Sequence, residues 1–381
     1  MTQAGANPTG KAMAAMPNAP DPQRAGRRAG LAAAWIMVCA MSSMVAAQGP
    51  PVLKPSGGPW DAGAGFKFAD KEKKTRRSVS GIACYLDAAK QPLCLVAFDE
   101  GVEARYMAPR DGALVVDKQR VMLRTGSGEL DAEAAATDGK YLYVTGSHSA
   151  RRSDCQSNPT SRHVIRLRID PATGRALQGP AERRDSGRLW SILQAQPELQ
   201  AFVGERQCLG SEPPPDAPSL AGRQGVNIEG MALRNGRLFF GMRGPVEHGV
   251  AKVLAVDADA LFGQGDPRAS VTRIALGERR GIRDMVAVRD GILILAGPDD
   301  SPSSSQAGWT IAWWDGTGTT ATVKPKVLAA LDLGAVKLRA CDKEIKPEAV
   351  TVLEENPQGY KLLVLSDGMC DGGPLVFDVA R

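Results

Sequence analysis

The 381-residue sequence predicts an all-β fold, a β-propeller of five or six four-stranded blades, from three observations. One hairpin phrase recurs five times. Its copies begin roughly 50–65 residues apart, with one longer interval near 96, and a repeat of that length holding several short strands is a propeller blade. The paired runs inside each copy are almost continuously apolar, as strands are when sheets stack on both of their faces. The clearest copy is residues 225–245, GVNIEGMALRNGRLFFGMRGP, where Asn235-Gly236 turns between two apolar runs because both residues tolerate positive φ. Glu129–Ser149 turns at Asp138-Gly139, Gly281–Asp300 at Asp290-Gly291, and Lys346–Gly368 around Asn356–Gly359, while Ser80–Gly101 is a worn first copy.

The chain opens with a stretch that predicts a cleaved secretory signal, residues 1–47. Lys11, Arg24, Arg27 and Arg28 precede the uncharged run Leu31–Ala47, which ends in small residues with Val45 and Ala47 at the −3 and −1 cleavage positions. An uncleaved anchor is the alternative, but this run is shorter than the roughly 20 apolar residues that span a bilayer. Residues 48–65, rich in Pro and Gly, read as an export linker, and residues 66–381 as the propeller domain. The long interval carries an insertion at about 151–223 with a helix-like stretch at Arg188–Leu199. It is one blade with an excursion or two blades, so both blade counts fit. Outer strands are expected at His163–Ile169, Ala251–Val256, Val271–Leu276 and Thr310–Trp314.

Six cysteines follow the signal, and an even number in an exported chain predicts three disulfides. Buried thiols or a zinc site are the alternative, although no C-x-x-C occurs. Cys84 and Cys94 flank the first hairpin's turn on facing strands, Cys341 and Cys370 bracket the last hairpin, and Cys155 and Cys208 remain for each other. Hydrophobic content of 43% and charged content of 23% are those of an ordinary globular chain. Four basic and one acidic side chain lie in residues 1–47, so their removal lowers the net charge from +5 to +2. That balance gives no support for nucleic-acid binding. Two glycine-rich stretches, Gly5–Lys11 and Gly316–Ala321, imitate nucleotide loops without the required Ser/Thr or following helix, and the absence of G-x-S-x-G leaves a nucleophile-elbow hydrolase unsupported.

In each hairpin an acid opens the first strand and a polar group closes the second, and antiparallel pairing brings those two points to one end. The pairs are Glu133 with His148, Glu229 with Arg243, Asp284 with Asp299, Glu348 with Asp367, and Ser80 with Asp99. If the hairpins are the innermost strands, these groups ring one mouth of the central channel. Glu133, Glu229, Asp284 and Glu348 would supply oxygen ligands for a divalent cation such as calcium. Arg243, Arg151 and Arg283 would hold an anionic group, and His148, Glu229 and Arg243 are the candidate catalytic residues. The competing account is structural: an acid repeated in every blade caps the adjacent backbone N–H groups.

The phrases NIEGMAL…LFFGMRGP, GIRDM…ILILAGP, AEAAATDGKYLYVTGSHS and KPEAV together resemble the bacterial domain-of-unknown-function family 3616, over roughly residues 66–381. The hairpin blades are more distantly similar to the esterase-like phytase propellers, and the rim acids to metal-binding gluconolactonase-type propellers. The sequence therefore predicts an exported, disulfide-bonded, monomeric propeller, periplasmic or secreted, without a membrane span after cleavage. Its expected role is to bind a small anionic ligand, a polysaccharide or an exported partner protein at one channel mouth. The alternative is a metal-assisted hydrolase of a phosphoester or ester, phytase-like or lactonase-like.

Overall fold

A computed structural model describes residues 49–68, 72–125, 128–177, 179–205, 207–210, 224–318 and 321–381. The expected signal segment, residues 1–47, lies outside the described residues. After a short N-terminal strand, β1 (Val52–Leu53), the chain builds five sheets, each from consecutive strands. Blade 1 is β2 (Val79–Leu86), β3 (Pro92–Phe98), β4 (Glu103–Arg110) and β5 (Ala113–Met122). Blade 2 is β6 (Ala132–Thr137), β7 (Tyr141–Gly146), β8 (Val164–Arg168) and β9 (Arg183–Ser186). Blade 3 is β10 (Asn227–Arg234), β11 (Arg237–Gly244), β12 (Val250–Asp257) and β13 (Ser270–Ala275). Blade 4 is β14 (Arg280–Val288), β15 (Gly291–Pro298), β16 (Trp309–Trp314) and β17 (Lys326–Leu331), and blade 5 is β18 (Lys346–Asn356), β19 (Gly359–Asp367) and β20 (Leu375–Ala380).

This is a five-bladed propeller, and the long interval contains one blade. The expected insertion at 151–223 needs correcting, because β8 and β9, the outer strands of blade 2, lie inside it. The excursions proper are the segments on either side, described over residues 147–163, 187–205, 207–210 and 224–226, and the helix-like stretch expected at Arg188–Leu199 is an α-helix over Arg188–Gln194. Cys155–Cys208 ties the two together, and Cys84–Cys94 and Cys341–Cys370 complete the three expected disulfides. Cys84 and Cys94 face each other directly in the β2–β3 ladder, with Cα atoms 4.0 Å apart.

The apolar runs have a simple destination. Buried side chains gather into five clusters, one at each blade–blade interface: blades 1 and 2 share Leu95, Tyr106, Leu142 and Ile165, and blades 4 and 5 share Leu293, Ile311, Leu362 and Phe377. Each inner strand sends alternate residues of its central run into the two interfaces that flank it, and exposure is greatest near the turn, at Leu86 of β2 and Glu354 and Asn356 of β18.

The segment expected to be a linker is instead a strap around the outside of the ring. β1 pairs in parallel with β17 of blade 4. Ser56 N then donates to Val376 O at 2.7 Å and Trp60 N to Pro374 O at 2.9 Å, along the free edge of β20 in blade 5. Asp61 bridges to Ala113, where β5 of blade 1 begins. Phe66 is buried, and its N–H donates to Asp371 Oδ1, a carboxylate also gripped by Arg76. The three-stranded fifth blade is thus completed from the other end of the chain. Among the described residues no helix is long and apolar enough to cross a membrane.

Candidate functional site

Every inner hairpin carries a bulge at the same place. Pairing skips one residue between Val79 and Gly81, Ala132 and Ala134, Ile228 and Gly230, Ile282 and Asp284, and Pro347 and Ala349. The skipped residues are Ser80, Glu133, Glu229, Arg283 and Glu348. A bulge leaves its extra residue out of the ladder and re-aims its side chain, and bulges concentrate at rims and binding sites. Here the five re-aimed side chains form a ring at one end of the channel. Arg283 bridges its two neighbours: Nε meets Glu229 Oε2 at 2.9 Å, and Nη2 donates to Glu348 Oε1. Ser80 Oγ reaches Glu348 Oε2 at 3.3 Å.

Blade 4 corrects the expected ring by one residue, since its member is Arg283 and not Asp284. The hairpin turns at Arg289-Asp290, and Gly291 is already in β15, where a Cβ would lie 2.3 Å from Trp314 O. The acid at this point of the phrase is the residue expected from the sequence, and in blade 4 that acid stands one residue past the bulge. Asp284 is fully buried away from the mouth. Its carboxylate accepts from Met285 N at 2.8 Å and Val350 N at 2.7 Å, stapling blade 4 to blade 5. For this acid the capping account holds.

The ring opens into a cavity of about 440 Å³, lined by Glu133, Glu229 and Glu348 together with Asp99, Arg151, Arg243 and Asp367. Farther along the same inner strands a second space of about 90 Å³ is lined by Ala83, Ala135, Ala232, Met285 and Thr351, with no charged side chain among its described lining residues. His148 does not reach the mouth. It takes a positive φ just after β7, and its buried Nδ1 lies 3.0 Å from Gly146 O. Burial lowers its pKa to about 4, which leaves it neutral and unsuited to acid–base work there.

Several lining residues went unread in the sequence: Asp131, Asn227 and Lys346. Each stands two positions before a ring residue, Asp131 at a positive φ just ahead of β6, and Asn227 and Lys346 at the first positions of β10 and β18. Asn227 Nδ2 donates to Glu229 Oε1 at 3.1 Å and to Asp300 Oδ1 at 3.1 Å. Arg243 completes the network, with Nη1 2.8 Å from Glu229 Oε1 and Nε 3.2 Å from Asp300 Oδ1. Asp300 stays below its ordinary pKa because Arg243 and Arg152 overcome the effect of burial.

The other acids are pushed the opposite way. Burial, then the charges of Glu229, Asp131, Glu348 and Asp99, holds Glu133 well above its ordinary value. Asp99 is raised well by burial and by Asp367 and Glu348. Glu348 rises to about 7, burial outweighing Arg283. Asp131 and Asp367 are also raised, with burial the largest cause. Of the set expected to hold a divalent cation, Glu229 and Glu348 are engaged by Arg283 and Asp284 by backbone N–H groups. Only Glu133 has no ion-pair or hydrogen-bond partner among the described residues. Those residues contain no group of three His, Cys, Asp or Glu placed to hold a metal ion. The four acids therefore do not fit the cation.

These shifts fix a pH dependence. For Glu348 the folded pKa of about 7 exceeds the ordinary 4.5, so between those values the folded state holds a proton that the unfolded chain has released. Stability then falls as pH rises through that window. Glu133, Asp99, Asp131 and Asp367 act in the same direction. His148 acts oppositely, but only below its unfolded value of 6.5. The melting temperature is expected to drop between about pH 6 and about pH 8 by scanning calorimetry, with a shallower drop in Glu133→Gln. A flat or rising profile over that range contradicts the assignment.

A model of the family described as "Protein of unknown function (DUF3616)" matches residues 88–173 and 172–371. The chain belongs to that family. No curated protein matches the sequence. Among solved structures, the DUF3616 chain is similar to a GH43 β-1,3-galactosidase at 8% identity and TM-score 0.41, with 86% of this chain and 94% of that one covered. An exo-β-1,3-galactanase from Clostridium thermocellum is similar at 7% identity and TM-score 0.42, covering 85% of this chain and 61% of that one. A GH43 endo-arabinanase from Bacillus licheniformis is similar at 11% identity and TM-score 0.36, covering 83% and 94%.

Proposed function

We propose that the channel mouth binds a saccharide, a hydroxyl-rich ligand that is uncharged or carries an amine. The observation that carries this reading is Glu133. Among the described residues it is the one glutamate of the ring without a partner, it is half-buried in the wall of a polar cavity, and burial together with the acids around it favours its protonated form. A protonated carboxyl group both donates and accepts, which suits a sugar hydroxyl. Burial, with the neighbouring acids adding to it, favours the uncharged form of these carboxyl groups, and uncharged carboxyl groups suit hydroxyls. The cavity also lies within the 300–1,000 Å³ usual for small-molecule sites.

The test is titration calorimetry against neutral and amino-bearing saccharides, inorganic phosphate and calcium chloride. Binding is expected for a saccharide alone. Glu133→Gln, a neutral isostere, should retain it, while Glu133→Ala should weaken it about tenfold through the lost hydrogen bond. Phosphate or calcium binding without any saccharide binding would overturn the proposal.

A further inference from the structure

We infer that the ligand is an oligosaccharide whose second unit lies in a groove beside the mouth, against Trp309. This rests on the saccharide reading of the mouth. A cavity of about 550 Å³ adjoins the first and shares four of its lining residues: Arg152, Leu209, Arg243 and Lys346. The groove is lined from blade 4 by Pro298, Ser305 and Trp309 and from the approach to β18 by Glu344, Ile345 and Lys346, so it lies next to a ligand seated on the ring.

The chemistry of the groove differs from that of the mouth. The mouth lacks aromatic side chains among its described lining residues, whereas the groove includes Trp309 at the start of β16, with Ser305 and Glu344 along its sides. Trp309 is half-buried and held in place. Its indole packs on the bare backbone of Gly297, where a Cβ would lie 2.2 Å from ring atoms Cε3 and Cζ3. Arg283 stands 5.4 Å from the ring centroid, linking the platform to the ring of the mouth. A fixed aromatic surface flanked by polar groups matches a pyranose unit, which presents C–H groups on one face and hydroxyls around its edge. The ring of the mouth thus grips one unit by hydrogen bonds, and the groove holds the next largely by contact.

The experiment is calorimetric titration of the full chain with cello-, xylo-, galacto- and chito-oligosaccharides of graded length, from monosaccharide to hexasaccharide. For the series that binds, affinity is expected to rise about tenfold on adding the second or third unit and then level off. Trp309→Ala should reduce that ratio to near one, and Trp309→Phe should keep part of it. If Trp309→Ala does not fold, Trp309→Phe carries the test: the change in tryptophan emission on saturation with a trisaccharide should shrink relative to wild type. Affinity independent of length, or an emission change unaltered in Trp309→Phe, removes the groove from the site. In that case loss of monosaccharide binding in Glu133→Ala would show that the mouth reading survives. If no saccharide of any length binds, the mouth reading fails and the groove proposal falls with it.

Discussion

Replacing Arg283 with methionine should lower the unfolding free energy by about 3–5 kcal/mol, the usual cost of leaving a buried charge without its partner. Arg283 is 1% exposed and stands between two glutamates, and its Nη1 also donates to Pro298 O at 3.1 Å. Methionine fills much the same space, so the loss comes from the uncompensated acids more than from a cavity. Glu229 keeps Arg243 and Asn227, while Glu348 keeps only the weak contact with Ser80. Glu348 would then retain its proton to a still higher pH. The deficit should accordingly be larger at about pH 8 than at about pH 5.5, and adding Glu348→Gln should restore most of it. Arg283→Lys should fall between, since an ammonium carries the charge without the fork that reaches both neighbours. Chemical denaturation at the two pH values decides it. An Arg283→Met protein as stable as wild type at both would show that the ring does not depend on this cation.

The blades were legible in the sequence because each inner strand must be apolar on both faces, and the period of the phrase survives local variation. Cys84–Cys94 and Cys341–Cys370 were legible because those cysteines flank hairpins, and Cys155–Cys208 only because these two remained. The ring was legible at Ser80, Glu133, Glu229 and Glu348 and misplaced by one at blade 4. The reason is physical. At blade 4 the bulge expels Arg283 while the acid beside it, Asp284, accepts from Val350 N of blade 5, and residue type does not fix which of two neighbours a bulge re-aims. A bulge cannot be seen by counting alternate residues either, since it is the break in that count. His148 failed for a related reason: one positive φ after β7 decides whether the imidazole faces the channel or the interior, and residue type does not fix it. The described part of the expected linker, residues 49–65, was misread because Pro and Gly describe a chain without its own regular structure. What orders this stretch is the hydrogen bonds it makes to strands hundreds of residues away.

A chain starting at Phe66 should melt at least about 5 °C below one starting at Gly49, and should self-associate where the longer chain does not. The strap covers three outer edges in succession. Ala330 N of β17 and Asp332 N just after it donate to Pro51 O and Leu53 O at 2.8 Å each, Val376 O of β20 and Pro374 O just before it accept from Ser56 and Trp60, and Leu114 N of β5 donates to Asp61 O at 2.8 Å. Its removal uncovers these groups on blades 4, 5 and 1 together. It also withdraws Leu53 from the interface of blades 4 and 5, and Trp60 and Ala62 from that of blades 5 and 1. A propeller is closed only by the contact of its first blade with its last, and that closing interface is the one the strap crosses. The unpaired edge of a three-stranded blade 5 is then the surface on which a second chain adds a strand. Trp60→Ala in the full-length strap separates the two effects: it loses side-chain packing but keeps every backbone hydrogen bond. It should therefore lower the melting temperature without promoting association. Calorimetry paired with light scattering reads both quantities. Equal melting temperatures and a monomeric truncated chain would mean that blade 5 closes the ring with three strands alone.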